Sequence, residues 1–176
     1  MMKANGVSRE QHIERFRCTQ SYYSLVGRDL EREIVPFLRD QQMGLLVWSP
    51  LAGGFLSGKF TREGSDESGR RTTFDFPPVD KARGFDILDV VRTVADRHGA
   101  TVPQVALAWV LSHDVVTSVI IGARTRTQLD DNLRAVDVVL TDEDRKALDE
   151  ASKIAPTYPA WMDSLGSDRA PGERRF

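Results

Sequence analysis

The sequence predicts an α/β protein with a parallel sheet of about three strands, because apolar runs typical of strands alternate with helical patterns. The strands are expected at roughly 16–24, 44–49 and 118–122. The runs "LLVW" and "SVII" are continuously apolar, which is typical of parallel strands covered on both faces. Alternating strands and helices indicate right-handed crossovers, so the three strands should run in the same direction.

Four helical patterns accompany the strands and carry signals for their ends. The pattern "RDLEREIVPFLRDQQMG" has four apolar residues at helical spacing: Leu30, Ile34, Phe37 and Leu38. We expect this helix to end at Gly44, a glycine suited to the position after a helix C-cap. The other three begin with an N-cap threonine and a capping partner three residues later: Thr101 with Gln104, Thr125 with Gln128, and Thr141 with Asp144. The helix after Thr101 is apolar on nearly every side, so we expect it to be deeply packed.

Length and composition restrict the class of protein. With 176 residues, 40% hydrophobic and 28% charged, the chain is long enough for one globular domain with a core. A formal net charge of −2 argues against a nucleic-acid-binding protein, which normally has a basic face. The single cysteine, Cys18, excludes an intramolecular disulfide and a multi-cysteine metal site. No signal-peptide pattern and no membrane-spanning apolar run is visible, so we expect a cytoplasmic protein.

Two stretches fall outside the alternation of strands and helices. Residues 61–84 are polar and include "FPP", and a connection of this length predicts a functional loop or lid. Residues 156–176 form an irregular tail in which Tyr158 and Trp161 stand among prolines and glycines. No internal repeat or linker divides the chain, so residues 1–176 should form a single domain. Three strands are fewer than a complete α/β barrel or doubly wound sheet contains, so we expect a partial domain.

The segment "GLLVWSPLAGGFLSGKF" delivers a strand into a loop of small residues. Gly53, Gly58 and Lys59 fit the P-loop pattern G-x-x-x-x-G-K, but Phe60 stands where that motif needs Ser or Thr for Mg²⁺. No apolar strand ends in a magnesium-binding Asp, so a P-loop is disfavoured. Two interpretations remain open: a glycine-rich turn with a solvated lysine, or a dinucleotide site outside the Rossmann pattern, since G-x-G-x-x-G is absent.

The third strand leads into a second loop suited to phosphate, at Gly122. Arg124 stands just before the predicted helix, and Gln128 and Asn132 follow it at i+4 and i+8, so the three should line one helix face. We expect the buried face to carry Leu129, Leu133 and Val136. A helix N-terminus with an arginine is a ready anion site, although an ordinary polar surface helix would show the same pattern. Phosphate loops after two successive parallel strands favour the anion site, because barrels commonly bind phosphate after strands 7 and 8.

Three segments together resemble the C-terminal half of the aldo/keto reductases, which are NADPH-dependent (β/α)8 barrels. These are "FRCTQSYYSLVGRDLEREIVPF", "GLLVWSPLAGGFLSGKF" and "VIIGARTRTQLDDNL". The resemblance extends from about Met1, which would lie inside a helix, to near the C-terminus. It implies that the strands are the sixth, seventh and eighth of an incomplete TIM barrel. Such a start suggests a truncated polypeptide, a split gene or a misplaced start codon.

The resemblance implies a binding site for NADP(H). Gln20 would hydrogen-bond the nicotinamide carboxamide, and Trp48 would stack on the nicotinamide ring, although a core aromatic is the alternative for Trp48. The residues implied at the pyrophosphate are Ser49, Pro50, Leu51 and Gly53, with Lys59 nearby as counter-charge.

At the adenosine end, the resemblance assigns five positions after the third strand. Gly122 would allow close approach, and Arg124 would face the 2′-phosphate, which favours NADPH over NADH. Adenosine contacts fall to Gln128, Asp131 and Asn132. The 61–84 loop would fold over the cofactor, and Tyr158 and Trp161 would wall the substrate pocket.

The family's catalytic tyrosine, lysine, aspartate and histidine lie on its first four strands, which this chain does not resemble. We therefore assign no catalytic residue, and we expect the chain alone to be inactive towards carbonyl substrates. Tyrosines and histidines elsewhere should be structural. An open sheet edge invites pairing, so we expect self-association or association with a separate N-terminal half. The alternatives are a non-catalytic module for NADPH sensing or assembly, a setting in which potassium-channel β-subunits use this barrel, and a gene remnant.

Overall fold

The structure is a computed structural model that describes residues 1–62 and 74–165. Parts of two sequence predictions, residues 63–73 of the expected loop and 166–176 of the expected tail, lie outside the described residues.

Strands and helices follow one another in the predicted order. The α-helices are α1 (Met2–Glu10), α2 (Ile34–Asp40), α3 (Lys81–His98), α4 (Val102–Leu111), α5 (Arg126–Leu133) and α6 (Asp142–Ser152). The strands are β1 (Cys18–Tyr22), β2 (Gly44–Trp48) and β3 (Val116–Val119). Short 3₁₀ turns cover Asp29–Glu31, Ala52–Ser57, Arg134–Asp137 and Ala160–Leu165. None of the helices in the described ranges combines the length and apolar composition that a bilayer crossing requires.

The three strands form one parallel sheet in the order β1-β2-β3, which confirms the predicted α/β fold. Tyr22 pairs with Trp48 in the register, and Leu46 pairs with Ser118. The third strand lies earlier in the chain than expected. The peptide N–H of Ile120 still donates to the carbonyl of Val47 at 2.8 Å, so the segment after β3 stays against β2.

The two faces of the sheet are covered differently. Leu45 and Val47 point into the core and are fully buried. The alternating positions point to the opposite face, where Leu46 is half-buried and Gln20 and Ser118 are exposed. Within the described residues, therefore, only one face has the cover that the apolar runs predicted.

Helix α4 lies in the core, as its composition predicted. Trp109 and Val105 are fully buried, and the predicted capping box between Thr101 and Gln104 begins the helix. The capping box between Thr141 and Asp144 is also present at the start of α6.

The helix predicted over residues 28–44 is shorter than expected. Its first part is the 3₁₀ turn Asp29–Glu31, and α2 begins only at Ile34. Pro36 explains the break, because proline lacks an N–H and is tolerated only in the first turn of a helix. Gly44 is the first residue of β2 rather than a cap, and Gln42, with φ 49°, takes the left-handed position instead.

The predicted 61–84 loop ends earlier than expected, because α3 already begins at Lys81. The side chain of Asp80 accepts a hydrogen bond from the Arg83 N–H and caps α3. At the other end, Gly99 has φ 57° and closes the helix in the left-handed conformation. Residues 81–84 are therefore helical.

Candidate functional site

The two predicted phosphate-binding segments follow β2 and β3 at one edge of the sheet. Parallel strands direct their carboxyl ends to the same edge, and both phosphate-suited segments begin there. One is the turn after Trp48, and the other leads from β3 through Gly122 into α5. The hydrogen bond from Ile120 to Val47 holds the start of the second segment beside β2.

The turn after β2 is compact and contains several left-handed residues. Ser49 has φ 52° and Ala52 φ 49°, which is uncommon outside glycine. The Ser49 hydroxyl oxygen accepts a hydrogen bond from the Gly53 N–H at 2.9 Å, and the Leu51 carbonyl accepts from the Gly54 N–H at 2.9 Å. These bonds within the turn help to fix its backbone.

The turn is anchored on one side and open on the other. Pro50 is buried, and Phe55 and Leu56 belong to the buried core. A Cβ placed on Gly54, which has φ 97°, would meet no heavy atom within 4 Å. Lys59 is exposed at the end of the turn. The backbone around Gly54 is therefore accessible to an approaching group. The predicted site did not include Ala52 or Gly54. The run of small residues "AGG" is the sequence signal that could have identified them.

Trp48 lies at the end of β2 as a half-buried ring rather than in the core. Its ring centroid lies 5.2 Å from that of Tyr22, with the planes tilted by 34°. It lies 5.8 Å from that of Phe76, and these two planes differ by only 8°. The fully buried tryptophan of the core is Trp109. Tyr22 and Phe76 were not predicted at the site, because sequence alone gives neither the strand register nor the path of the chain before α3.

The N-terminus of α5 carries the predicted adenosine-end residues. The Thr125 hydroxyl accepts from the Gln128 N–H at 3.2 Å, as an N-cap should. The Gln128 side-chain oxygen accepts from the Arg124 N–H at 2.9 Å, one residue before the position a capping box would use. Arg124 and Gly122 are exposed.

Asp131 and Asn132 lie on the inner side of α5. The Asp131 carboxylate accepts from the Thr101 hydroxyl at 2.9 Å and from the Gln104 amide at 2.7 Å, so it ties α5 to α4. Asn132 is only 8% exposed. The predicted adenosine contacts of both residues stay predictions.

The predicted buried face of α5 is wrong. Leu129, Leu133 and Val136 are all exposed, and Val136 is 73% exposed. The bonds of Asp131 to the N-terminus of α4 turn the polar side of α5 inward, which directs the apolar side outward.

Two further predicted regions lie apart from these contacts. Gln20 is exposed on β1, on the same face as Trp48. Tyr158 and Trp161 follow α6, with ring centroids 6.2 Å apart, and both are exposed. Their roles in ligand binding stay predictions.

Tyr23, His98 and His113 make contacts within the fold. Tyr23 is fully buried, and its hydroxyl donates to Glu31 at 2.6 Å. Burial, followed by this bond to Glu31, raises the pKa of Tyr23 far above its usual range. His113 bonds the Trp109 carbonyl at 2.8 Å, and His98 bonds a buried carboxylate of α6. The parts of the chain that the structure describes contain no group of three His, Cys, Asp or Glu placed to hold a metal ion.

Known proteins resemble the chain over most of its length. The aldo/keto reductase family matches residues 1–153. An uncharacterized oxidoreductase of Bacillus subtilis (strain 168) is 35% identical over 150 residues, which are 85% of this chain and 44% of that protein. An NADH-specific methylglyoxal reductase of Escherichia coli (strain K12) is 30% identical over 76% of this chain and 41% of that protein.

A third relative carries a different kind of name. A protein of Arabidopsis thaliana named a probable voltage-gated potassium channel subunit beta is 34% identical over 68% of this chain and 38% of that protein. The chain thus spans about two fifths of the length of these curated relatives. The family match, the parallel β/α arrangement and the polar loops at the carboxyl edge agree, and the chain belongs to the aldo/keto reductase family.

Proposed function

We propose that this chain forms the dinucleotide-binding part of an aldo/keto reductase and binds NADP(H) at the carboxyl edge of its sheet. One observation carries the proposal: the Trp48 ring, the left-handed turn from Ser49 to Gly54 and the N-terminus of α5 follow neighbouring parallel strands at the same edge. An aromatic surface can stack on a nicotinamide ring, and the backbone N–H groups of a turn and of a helix N-terminus can bind phosphate.

The residues present fit such a ligand. Added Cβ atoms at Gly54 and Gly122 would meet nothing within 4 Å, so the backbone at both loops is open to close approach. Two cations, Lys59 and Arg124, are exposed on these loops. In this assignment Trp48 stacks on the nicotinamide, and the turn after it holds the pyrophosphate. The N-terminus of α5 holds the adenosine end, and the bound coenzyme supplies the hydride.

A titration tests the proposal. NADPH added to the chain should quench tryptophan fluorescence, and adenosine 2′,5′-bisphosphate, which shares only the adenosine end, should compete with it. Isothermal titration calorimetry gives both affinities directly. Absence of NADPH binding, or binding with no competition by the bisphosphate, would contradict the proposed site. A gene remnant would give the first of these results.

We also propose that catalysis requires additional strands. Apolar side chains are exposed beside both outer strands, with Ile13 and Phe16 before β1 and Ile120 directly after β3. These surfaces fit further β/α units of a barrel, which in this family supply the acid and its partners. The chain alone should therefore show negligible reduction of 4-nitrobenzaldehyde by NADPH, and mixing with the N-terminal half of a related reductase should restore turnover. Self-association of the chain through the same outer strands is the alternative, and light scattering would detect it.

A second candidate is a non-catalytic NADPH-sensing or assembly module, which the relative named as a potassium channel subunit favours. The same mixing experiment separates the two functions. Turnover after completion indicates a reductase, whereas NADPH binding without turnover indicates a sensing module.

A further inference from the structure

We propose that Phe76 sets the affinity of the site for its ligand ring, because its own phenyl ring occupies a stacking position on Trp48. The inference rests on the proposed function and adds to it a residue that competes with the bound nicotinamide.

The geometry of the Trp48–Phe76 pair is that of a stacked ligand ring. The two planes differ by 8° and the centroids lie 5.8 Å apart, which is an offset-stacked arrangement. The other ring contacts of these two residues are tilted, by 34° for Tyr22 on Trp48 and by 32° for Phe74 on Phe76. Phe76 therefore lies nearly parallel to the indole and in contact with it, as a planar ligand would.

Phe76 is less buried than the phenylalanines of the core. Phe55 stacks on Phe60 and also contacts Phe85, and all three are part of the core or pack against it. Phe76 is 42% exposed. The ring does not belong to the core, so it can leave Trp48 without opening the core, and a ligand ring can take its place.

Tyr22, the other ring on Trp48, is fixed in place. Its hydroxyl lies 2.9 Å from that of Ser24, and its ring lies against Gly27. A Cβ on Gly27 would come within 2.3 Å of the Tyr22 ring, so only glycine permits this position. Among the described residues, Trp48 thus has one fixed aromatic neighbour and one that can be displaced.

Displacement lowers the apparent affinity, because only molecules in which Phe76 has left the indole can stack a ligand ring. Aromatic pairs of this kind are modest in strength, so removal of the phenyl ring should tighten ligand binding by roughly three- to tenfold.

The test compares Phe76→Ala with Phe76→Tyr, which keeps a stacking ring, in the full chain. Isothermal titration calorimetry with NADPH and with reduced nicotinamide mononucleotide should give tighter binding for Phe76→Ala and wild-type affinity for Phe76→Tyr. Adenosine 2′,5′-bisphosphate has no nicotinamide, so its affinity should be the same in all three proteins. Melting curves should show that both variants stay folded, because Phe76 is largely outside the core.

Three outcomes would overturn the inference. NADPH binding to Phe76→Ala that is unchanged or weaker means that Phe76 does not compete with the ring, while the proposed function stands. An equal gain for the bisphosphate means that the effect does not act through stacking. If neither the wild-type chain nor Phe76→Ala binds NADPH, the proposed function fails, and this inference fails with it.

Discussion

The two sides of the sheet hold their side chains in different ways. On the helix-covered side, Leu45 and Val47 are fully buried and share one core with Trp109 of α4. On the other side and at the carboxyl edge, Trp48 is half-buried, and the turn after it has left-handed non-glycine residues. The first region has the burial that stabilises a fold, whereas the second has accessible rings, backbone and cations. Stability and ligand binding should therefore be separable by mutation.

The largest expected difference between the two regions lies in their tryptophans. Trp109 is fully buried, contacts Tyr23 and His113, and donates its indole N–H to Asp149 at 3.1 Å. Trp109→Ala should lower the free energy of unfolding by about 3–5 kcal/mol. Trp48→Ala removes a half-buried ring and should lower it by less than about 2 kcal/mol. Urea denaturation followed by far-ultraviolet circular dichroism measures both.

NADPH affinity should show the opposite order, with the larger loss on replacement of Trp48 rather than Trp109. Trp48→Ala should fold and yet lose most of its NADPH affinity, because the stacking surface is gone. Trp161, which is exposed after α6, provides a matched control whose replacement by Ala should leave stability nearly unchanged. Equal destabilisation by Trp48→Ala and Trp109→Ala would mean that the edge of the sheet is part of the core.

Features set by local sequence were predicted correctly. The capping boxes at Thr101–Gln104 and Thr141–Asp144 depend on residues three apart, so the sequence contains all that they need. The parallel sheet followed from the alternation of strands and helices. Family membership was predicted from sequence motifs, and some of these motifs form the loops at the carboxyl edge.

Features that depend on distant contacts were predicted incorrectly or not at all. Leu129, Leu133 and Val136 have the spacing of a buried face, but the bonds of Asp131 to α4 decide which side of α5 faces inward. The stacking of Phe76 on Trp48 likewise depends on how a loop returns to the sheet. The spacing of apolar residues identifies an apolar face on a helix. Which element packs against that face depends on the tertiary structure.

A second prediction concerns Asp144, which joins α3 and α6 and so belongs to the region that stabilises the fold. Its carboxylate accepts from the Thr141 hydroxyl at 2.7 Å, bonds His98 at 2.7 Å and pairs with Arg97 at 2.9 Å. Burial alone would raise the pKa of Asp144, but the bonds from Thr141 and His98, together with Arg97, outweigh it and lower the pKa to about 2. A lowered pKa means that the folded state favours the charged carboxylate.

The sign of the pH effect follows from this shift. The stabilisation is present above the ordinary pKa of 3.8 and is lost as pH falls towards about 2. The loss should amount to about 2 kcal/mol. Urea denaturation between pH 2 and 6 should show this loss in wild type and a flatter profile in Asp144→Asn. Asp142→Asn is the matched control, because Asp142 is exposed on the same turn and should keep the wild-type profile. Identical profiles for Asp144→Asn and wild type would mean that Asp144 does not contribute to the pH dependence of stability.

The smallest expected effect concerns coenzyme choice at the open edge, where Arg124 and Arg126 provide a matched pair at the start of α5. Both are exposed. Arg126 lies in the helix and pairs along it with Asp130 at 2.9 Å, and Arg124 precedes the helix at the loop from β3. If Arg124 faces the 2′-phosphate, Arg124→Ala should weaken NADPH by about tenfold, a value limited by solvent exposure. NADH affinity should change by less than about twofold, because that ligand lacks the phosphate.

Arg126→Ala is the matched control, because it removes the same charge from the same helix end. It should leave both affinities close to wild type, because the Arg126 guanidinium is directed along the helix to Asp130. Calorimetric titration with the two coenzymes measures the difference. Equal losses for NADPH and NADH in Arg124→Ala would mean that Arg124 acts on the shared part of the ligand. Equal affinity for both coenzymes before mutation would mean that the exposed guanidinium serves general anion attraction.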